Sequence, residues 1–378
     1  GRYMHYLALI AVEIPEIKDE MANADIEEIL EELEQAMLED KEHRLTVEMY
    51  TERQNNLRVL FTRTVNRAVI SKMQPYWEDT QNPKYLEFQD QTEEILEKYK
   101  TSVDCLKLPQ GRIVPLCMQP DDNRFVIRDG KVYENNAGPL HQQRRTKRAK
   151  RIQALPSYPF RKIYPDLQDF ALDWYGLEFN EQEQGYGYYV NPNGMWDWCS
   201  IGGRWPYMLL VKESCKEYTI GAISWTRDGQ IPETPKGYRW ASGARMKDIE
   251  WEAMRAWEHE RLIDRFKKLE QFFKTGVCPK DIYGFWTEKG ILYGADYNYY
   301  RDESLEHYLK REDQLRERKY PLYAHELLSK DGYWYSQDDY DMHLRFTNKI
   351  SRVWEDRVNE FLDALSGEDV LVVVDCHR

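Results

Sequence analysis

"VLVVVDCH", residues Val370 to His377, is the stretch on which the fold turns. Five apolar residues in succession, four of them valine, leave no alternate position for a solvent-facing side. Such a run suits a central strand covered on both faces. Asp375, Cys376 and His377 then emerge at its carboxyl end, where sheets packed against helices favour their ligands. A partner strand is readable at the other end of the sequence: Tyr6 to Ile14, YLALIAVEI, is apolar and stopped by Pro15. Setting the two side by side predicts an α+β protein. Its sheet would be ferredoxin-like or related, with the N- and C-terminal strands central, elaborated by several long helices.

Helices are legible between them. Residues 16 to 42 carry twelve acids against two lysines, with Ile26, Ile29, Leu30, Leu33 and Met37 at helical spacing. That is an amphipathic helix with an acidic outer face, solvated or turned towards a partner. Glu250 to Phe273 is a long helix striped by Met254, Leu262, Phe266, Leu269 and Phe273, with Gly276 beyond it as a stop. Phe346, Ile350, Trp354, Phe361 and Leu365 stripe a last helix, and Asp166 to Tyr175 forms a short one. Tyr297 to Lys319, dense in charge, reads as an exposed helix. Asp129-Gly130 and Glu288-Lys289-Gly290 are the turns of two hairpins, Phe125 to Glu134 and Ile282 to Tyr293. Three regions follow: 1–44, the first strand and acidic helix; 45–155, a mainly helical insertion with one hairpin; and 156–378, the α+β remainder.

The 378 residues exceed the usual single core, and 42% apolar content with 13% aromatics is ample for folded units. A net charge of −13 disfavours whole-surface binding to nucleic acid and is compatible with a basic partner. One run opposes that balance. Arg144, Arg145, Lys147, Arg148, Lys150 and Arg151 can contact phosphates or an acidic protein surface, or serve as a solvated linker. No aromatic residue is interleaved there for base stacking. The six cysteines are scattered without a C-x-x-C pair, so reduced thiols in a cytosolic protein are expected. No zinc spacing, cofactor signature or membrane-length apolar run accompanies them.

The chemistry concentrates in Tyr189 to Trp205, YVNPNGMWDWCSIGGRW. Asn191-Pro192-Asn193-Gly194 reads as a turn between a strand ending at Val190 and another resuming at Trp196. In a strand, Trp196 and Trp198 share one face and Asp197 takes the other. Gly202 and Gly203 let backbone N–H groups approach a phosphate, beside the planar fork of Arg204 and the ring of Trp205. A plain hairpin, with Asp197 paired to Arg204 and the tryptophans as core, is the alternative.

The pattern N-P-N-x-x-W-D-W-x-x-x-G-G-R-W, with the closing V-V-V-D-C-H of Val372 to His377, resembles a family of uncharacterised proteins from bacteriophages, prophages and other mobile elements. The resemblance covers two islands, about twenty residues together, and extends to the first strand, leaving residues 45 to 160 unmatched. It implies a phage-type setting in the cytoplasm of a bacterial host, where accessory proteins counter immunity; it implies no activity. Two functions stay open. One is an anti-CRISPR-like binding protein directed at a host defence protein or ribonucleoprotein complex. The other is a metal-independent nucleotide- or phosphodiester-binding enzyme, or a nucleotide sponge. In the second, Asp197, Asp375 and His377 would be catalytic, because an imidazole beside a carboxylate exchanges protons near neutral pH. Trp196, Trp198, Gly202, Gly203, Arg204 and Trp205 would hold the ligand. Convergence of Asp197, Arg204, Asp375 and His377 is the feature that separates the two.

Overall fold

The computed structural model describes residues 5–15, 56–102, 157–221, 233–276, 302–340 and 352–378, with short helical and strand segments in the intervening stretches. The described chain forms two compact units: residues 1–80 with 193–378, and residues 81–192.

The first unit is built on a seven-stranded sheet. Numbered along the chain, its strands are β1 (His5–Val12), β2 (Trp198–Ile201), β3 (Thr219–Ile220), β4 (Gly243–Arg245), β5 (Glu326–Leu328), β6 (Trp334–Ser336) and β7 (Val370–His377). They lie in the order β3-β4-β7-β1-β5-β6, with β2 also on β7. The fold is α+β and the terminal strands are its central neighbours. β7 runs antiparallel to β1 from Val12↔Val370 to His5↔His377. Its other edge is shared by β4, at Val370 to Val372, and β2, at Val374 to His377. β1 and β5 run parallel, so the sheet is a mixed one, related to the wholly antiparallel ferredoxin-like order but distinct from it.

Alternation sorts the two central strands onto two cores. Ala8, Ile10, Val12, Val370, Val372, Val374 and Cys376 pack on Val59, Leu60, Phe61, Val65, Val69 and Met73 of helix α1 (Asn56–Met73). Leu7, Leu9, Ala11, Leu371 and Val373 pack on the other side, with Leu209, Leu210, Val211 and Trp240. Trp354, Val358, Phe361 and Leu362, from the helix Arg352–Asp363, close that second core. Both faces of β7 are therefore dry from Val370 to Val374, which is what that unbroken apolar run demands.

The long helix Trp251–Thr275 ends on Gly276 in the left-handed region, as its stop signal indicated. Leu262, Phe266 and Leu269 of that helix bury Tyr308. The exposed helix expected over 297–319 is instead a strand, Asn298–Tyr300, and a short helix, Leu305–Glu312, anchored by that tyrosine. Its charges are real, but one buried aromatic decides its packing. Both glycine-turn hairpins form, with Arg128↔Lys131 and Trp286↔Leu292 among their paired residues.

The second unit packs helices Thr92–Thr101 and Leu167–Tyr175 around Ile95, Tyr99, Phe160, Phe170 and Tyr186. Asp166 caps the second helix by accepting from the Asp169 N–H at 2.9 Å. Three three-stranded sheets accompany them: Glu87–Asp90 with Gly185–Val190 and Phe179–Asn180, Cys105–Lys107 with Ile113–Val114 and Ser157–Tyr158, and Phe125–Arg128 with Lys131–Glu134 and Gln153–Ala154. Among its described residues this unit holds both helix and strand, and it spans 81–192, whereas the sequence suggested a region of 45–155, whose helix Asn56–Met73 belongs to the first unit. The boundary expected near residue 155 falls inside the second unit, because Cys105–Lys107 pairs with Ser157–Tyr158 across that point. The acidic helix of 16–42 lies almost wholly outside the described residues; among its described positions Glu32 pairs with Arg63 and Arg67 of α1. The basic run Arg144, Arg145, Lys147, Arg148, Lys150 and Arg151 lies outside them altogether.

Candidate functional site

Tyr189 to Trp205 is not one hairpin. Gly185–Val190 pairs with Glu87–Asp90 inside the second unit, whereas Trp198–Ile201 is β2 of the main sheet. Asn191-Pro192-Asn193-Gly194 is where the chain leaves one unit for the other.

Trp196 is architecture. It is buried, its indole N–H donates to the Met73 carbonyl at 3.0 Å, and it stacks on Trp77 with ring centroids 5.9 Å apart. Backbone bonds from Met195 N–H to the Tyr76 carbonyl and from Glu78 N–H to the Trp196 carbonyl tie this segment to the turn that follows α1. So held, the chain passes Asp197 and enters β2 at Trp198, opposite the end of β7, where Trp198 faces His377 and Ser200 faces Asp375.

Two imidazole–carboxylate pairs form there. His377 donates from Nδ1 to Asp197 Oδ1 at 2.9 Å, and the Asp197 N–H returns a bond to the His377 carbonyl at 3.0 Å. His5, on β1, donates from Nδ1 to Asp375 Oδ1 at 2.9 Å. The acceptors are carboxylates, so the hydrogen sits on Nδ1 and Nε2 is the basic nitrogen of each ring. Directly opposed in the β1–β7 register, the two rings lie 5.0 Å apart between centroids, inclined at 65°. Trp198 meets His5 edge-on at 5.9 Å. The side chains of His5, His377 and Asp197 are 21%, 20% and 27% exposed; that of Asp375 is 2%.

Asp375 is held by the glycine turn. Its Oδ2 accepts the Arg204 N–H at 2.9 Å, and a Cβ added at Gly203, where φ is +50°, would stand 2.3 Å from the Asp375 Cβ. The Gly202 N–H goes to the Val373 carbonyl at 2.9 Å. Of the Gly202 and Gly203 amides expected at a phosphate, that of Gly202 is therefore engaged by β7, and the amide that follows the pair, that of Arg204, by the protein's own carboxylate. Gly203 is glycine because only a hydrogen fits over Asp375. The guanidinium of Arg204 remains on an exposed residue, and Asp197 pairs with His377 rather than with Arg204. Trp205 packs into the second core with its ring 5.7 Å from that of His325.

Three residues at this sheet end carried no sequence signal strong enough to single them out. His5 stands one residue before the strand as read; extending its period-two pattern backwards would have put it on the Leu7 and Leu9 face. His325 accepts the Leu7 N–H on Nδ1 at 2.9 Å, and burial pushes its pKa down to about 4. Glu326 is buried on the opposite face, accepting from the Trp334 indole at 2.6 Å and Ser336 at 2.8 Å, with its pKa pushed up to about 7 by desolvation. Within β2, the hydroxyl of Ser200 is buried with no hydrogen-bond partner among the described residues.

Among the described residues no group of three or more His, Cys, Asp or Glu side chains is arranged to hold a metal ion, and no helix is long and apolar enough to cross a membrane. Comparison with protein-family models, curated proteins and solved structures finds no match to this chain. The site has to be read from its own chemistry.

Proposed function

We propose that the sheet-end cluster is an acid–base site for a nucleotide or phosphodiester, working through its own side chains without a bound metal. One observation supports this reading above the others: two imidazoles, each oriented through Nδ1 by its own carboxylate, with ring centroids 5.0 Å apart. One Nε2 can take the proton of an attacking hydroxyl or water, while the other ring, protonated, delivers one to the leaving oxygen. The carboxylates fix tautomer and orientation and stabilise each imidazolium as it forms. Arg204 supplies positive charge from its exposed side chain, and Trp198 an aromatic edge beside His5. Trp196, Gly202 and Gly203 position the site rather than touch the ligand.

A thermal-shift screen against nucleotides, cyclic oligonucleotides and short RNA and DNA tests this. A ligand that stabilises the wild type but neither Arg204→Ala nor His377→Ala, both folded, supports the site, and turnover of that ligand should vanish in His5→Ala as well. No shift across the panel, or equal shifts in every variant, sinks it.

A second reading has its own observation. Phe179, Tyr188 and Tyr189 are exposed on one short sheet of the second unit, with Tyr189 bonded to Glu183. Exposed tyrosines beside acids suit the basic surface of a partner, in keeping with a phage-type protein that binds a host defence complex in the bacterial cytoplasm. Inhibition of a purified defence ribonucleoprotein, lost in Tyr188→Ala with Tyr189→Ala, is the corresponding test.

A further inference from the structure

We propose that Cys199 and Cys376 form a modification site: a dithiol that a low-molecular-weight disulfide, such as glutathione disulfide, converts into a cross-strand bridge. The two residues are direct partners in the β2–β7 register. Their kind of pairing follows from the ladder. The Gly202 N–H donates to the Val373 carbonyl at 2.9 Å. Counting back in twos, Ser200 with Asp375 and Trp198 with His377 are the hydrogen-bonded positions, and Cys199 with Cys376 is a non-hydrogen-bonded pair.

Opposed residues of that type have Cα atoms about 4.5 Å apart and side chains on the same face, closer than at any other register position. A disulfide spans Cα separations of about 4.4–6.8 Å. Both side chains lie on the face covered by α1: Cys376 within that core, Cys199 packed against it from a partly exposed position. Both are reduced thiols here. Of the other described cysteines, Cys105 has Tyr158 as its strand partner and Cys215 lies outside the strands.

Exposure sets the order of events. The Cys199 thiolate attacks one sulfur of glutathione disulfide and displaces a glutathione thiolate, forming a mixed disulfide. Cys376 loses its proton and attacks the Cys199 sulfur, releasing the second glutathione. Two protein thiols give up two electrons and two protons; glutathione disulfide accepts both as two thiols. Burial, which pushes the Cys376 thiol well above its usual pKa, makes the second step the slow one. The bridge would tie β2 to β7 between Trp198 and Ser200 on one strand and Asp375 and His377 on the other, beneath the imidazole pairs.

The test incubates the native, reduced protein with glutathione disulfide, blocks remaining thiols and maps the peptides. A Cys199–Cys376 cross-linked peptide is expected, reversed by dithiothreitol, absent in Cys199→Ser and retained in Cys215→Ser. The Cys199 change is made because that side chain is half-exposed, so the variant folds where Cys376→Ser need not. Glutathione remaining on Cys199, both thiols recovered blocked, or a bridge formed only in denaturant would each overturn the proposal.

Discussion

Asp375 and His377 leave β7 on one side and Cys376 on the other, and the two sides treat ionisable groups in opposite ways. On the first, each acid finds an imidazole at 2.9 Å, and three of the four side chains keep a fifth or more of their surface in water. On the second, Cys376, Tyr6 and Glu326 are desolvated, and burial pushes all three acids towards their neutral forms. A strand end can thus present charge on one face and suppress it on the other with residues adjacent in sequence. What separates the faces is the availability of a base and of solvent, since a buried acid without either stays protonated.

The sharpest way to break the comparison is at the turn that seals Asp375. Gly203→Ala places a Cβ 2.3 Å from the Asp375 Cβ at a φ of +50°. It should destabilise the protein by on the order of 3 kcal/mol or more in denaturant melts; a fully stable variant would mean the turn is not packed on the carboxylate.

On the neutral face, Glu326 has a folded pKa of about 7 against an ordinary 4.5. Its contribution is complete below about pH 4.5 and is lost as pH rises towards 7, by on the order of 3 kcal/mol at most. Glu326→Gln keeps an acceptor for Trp334 and should flatten that slope; an unchanged stability–pH curve would refute the burial argument. His325 runs the other way. Its folded pKa of about 4 lies below the ordinary 6.5, so stability is full above pH 6.5 and falls as the pH drops to 4. Adjacent residues should therefore give the protein opposing pH slopes, separable by Glu326→Gln and His325→Gln in the same titration.

Next comes Asp375→Asn, which should lose about 1–3 kcal/mol because an amide cannot accept from both His5 and the Arg204 N–H without leaving a donor buried. Asp197→Asn, at the half-exposed pair, should change the melting temperature far less while removing any turnover. Smallest of all is Arg204→Ala, whose backbone N–H still reaches Asp375. Its melting temperature should match the wild type, with only ligand binding lost.

The two faces also differ in how much of them could be read in advance. The unbroken Val370–Val374 run can only be satisfied between two cores, so the central strand and its polar end were legible, as were the stripe of Trp251–Thr275 and its Gly276 stop. Hairpin logic failed at Asn191–Gly194. A turn sequence between two strands reports a reversal but not whether those strands pair, and here each pairs elsewhere. Trp196 and Trp198 looked equivalent by period, yet the chain enters β2 only at Trp198, leaving Trp196 to Trp77 and Met73.

By itself, the sequence determined that the protein is α+β, that its terminal strands lie at the centre, and that Asp375 and His377 emerge at a sheet end. These follow from local periodicity and from the need to bury apolar runs, which any folded arrangement must meet. Tertiary structure alone decided that His5 stands opposite His377, that Asp375 is sealed by Gly203, and that Cys199 meets Cys376. Those depend on register and on which distant strand takes each edge of β7. A slip of one residue would turn every one of these side chains to the other face, and no local pattern distinguishes the two settings.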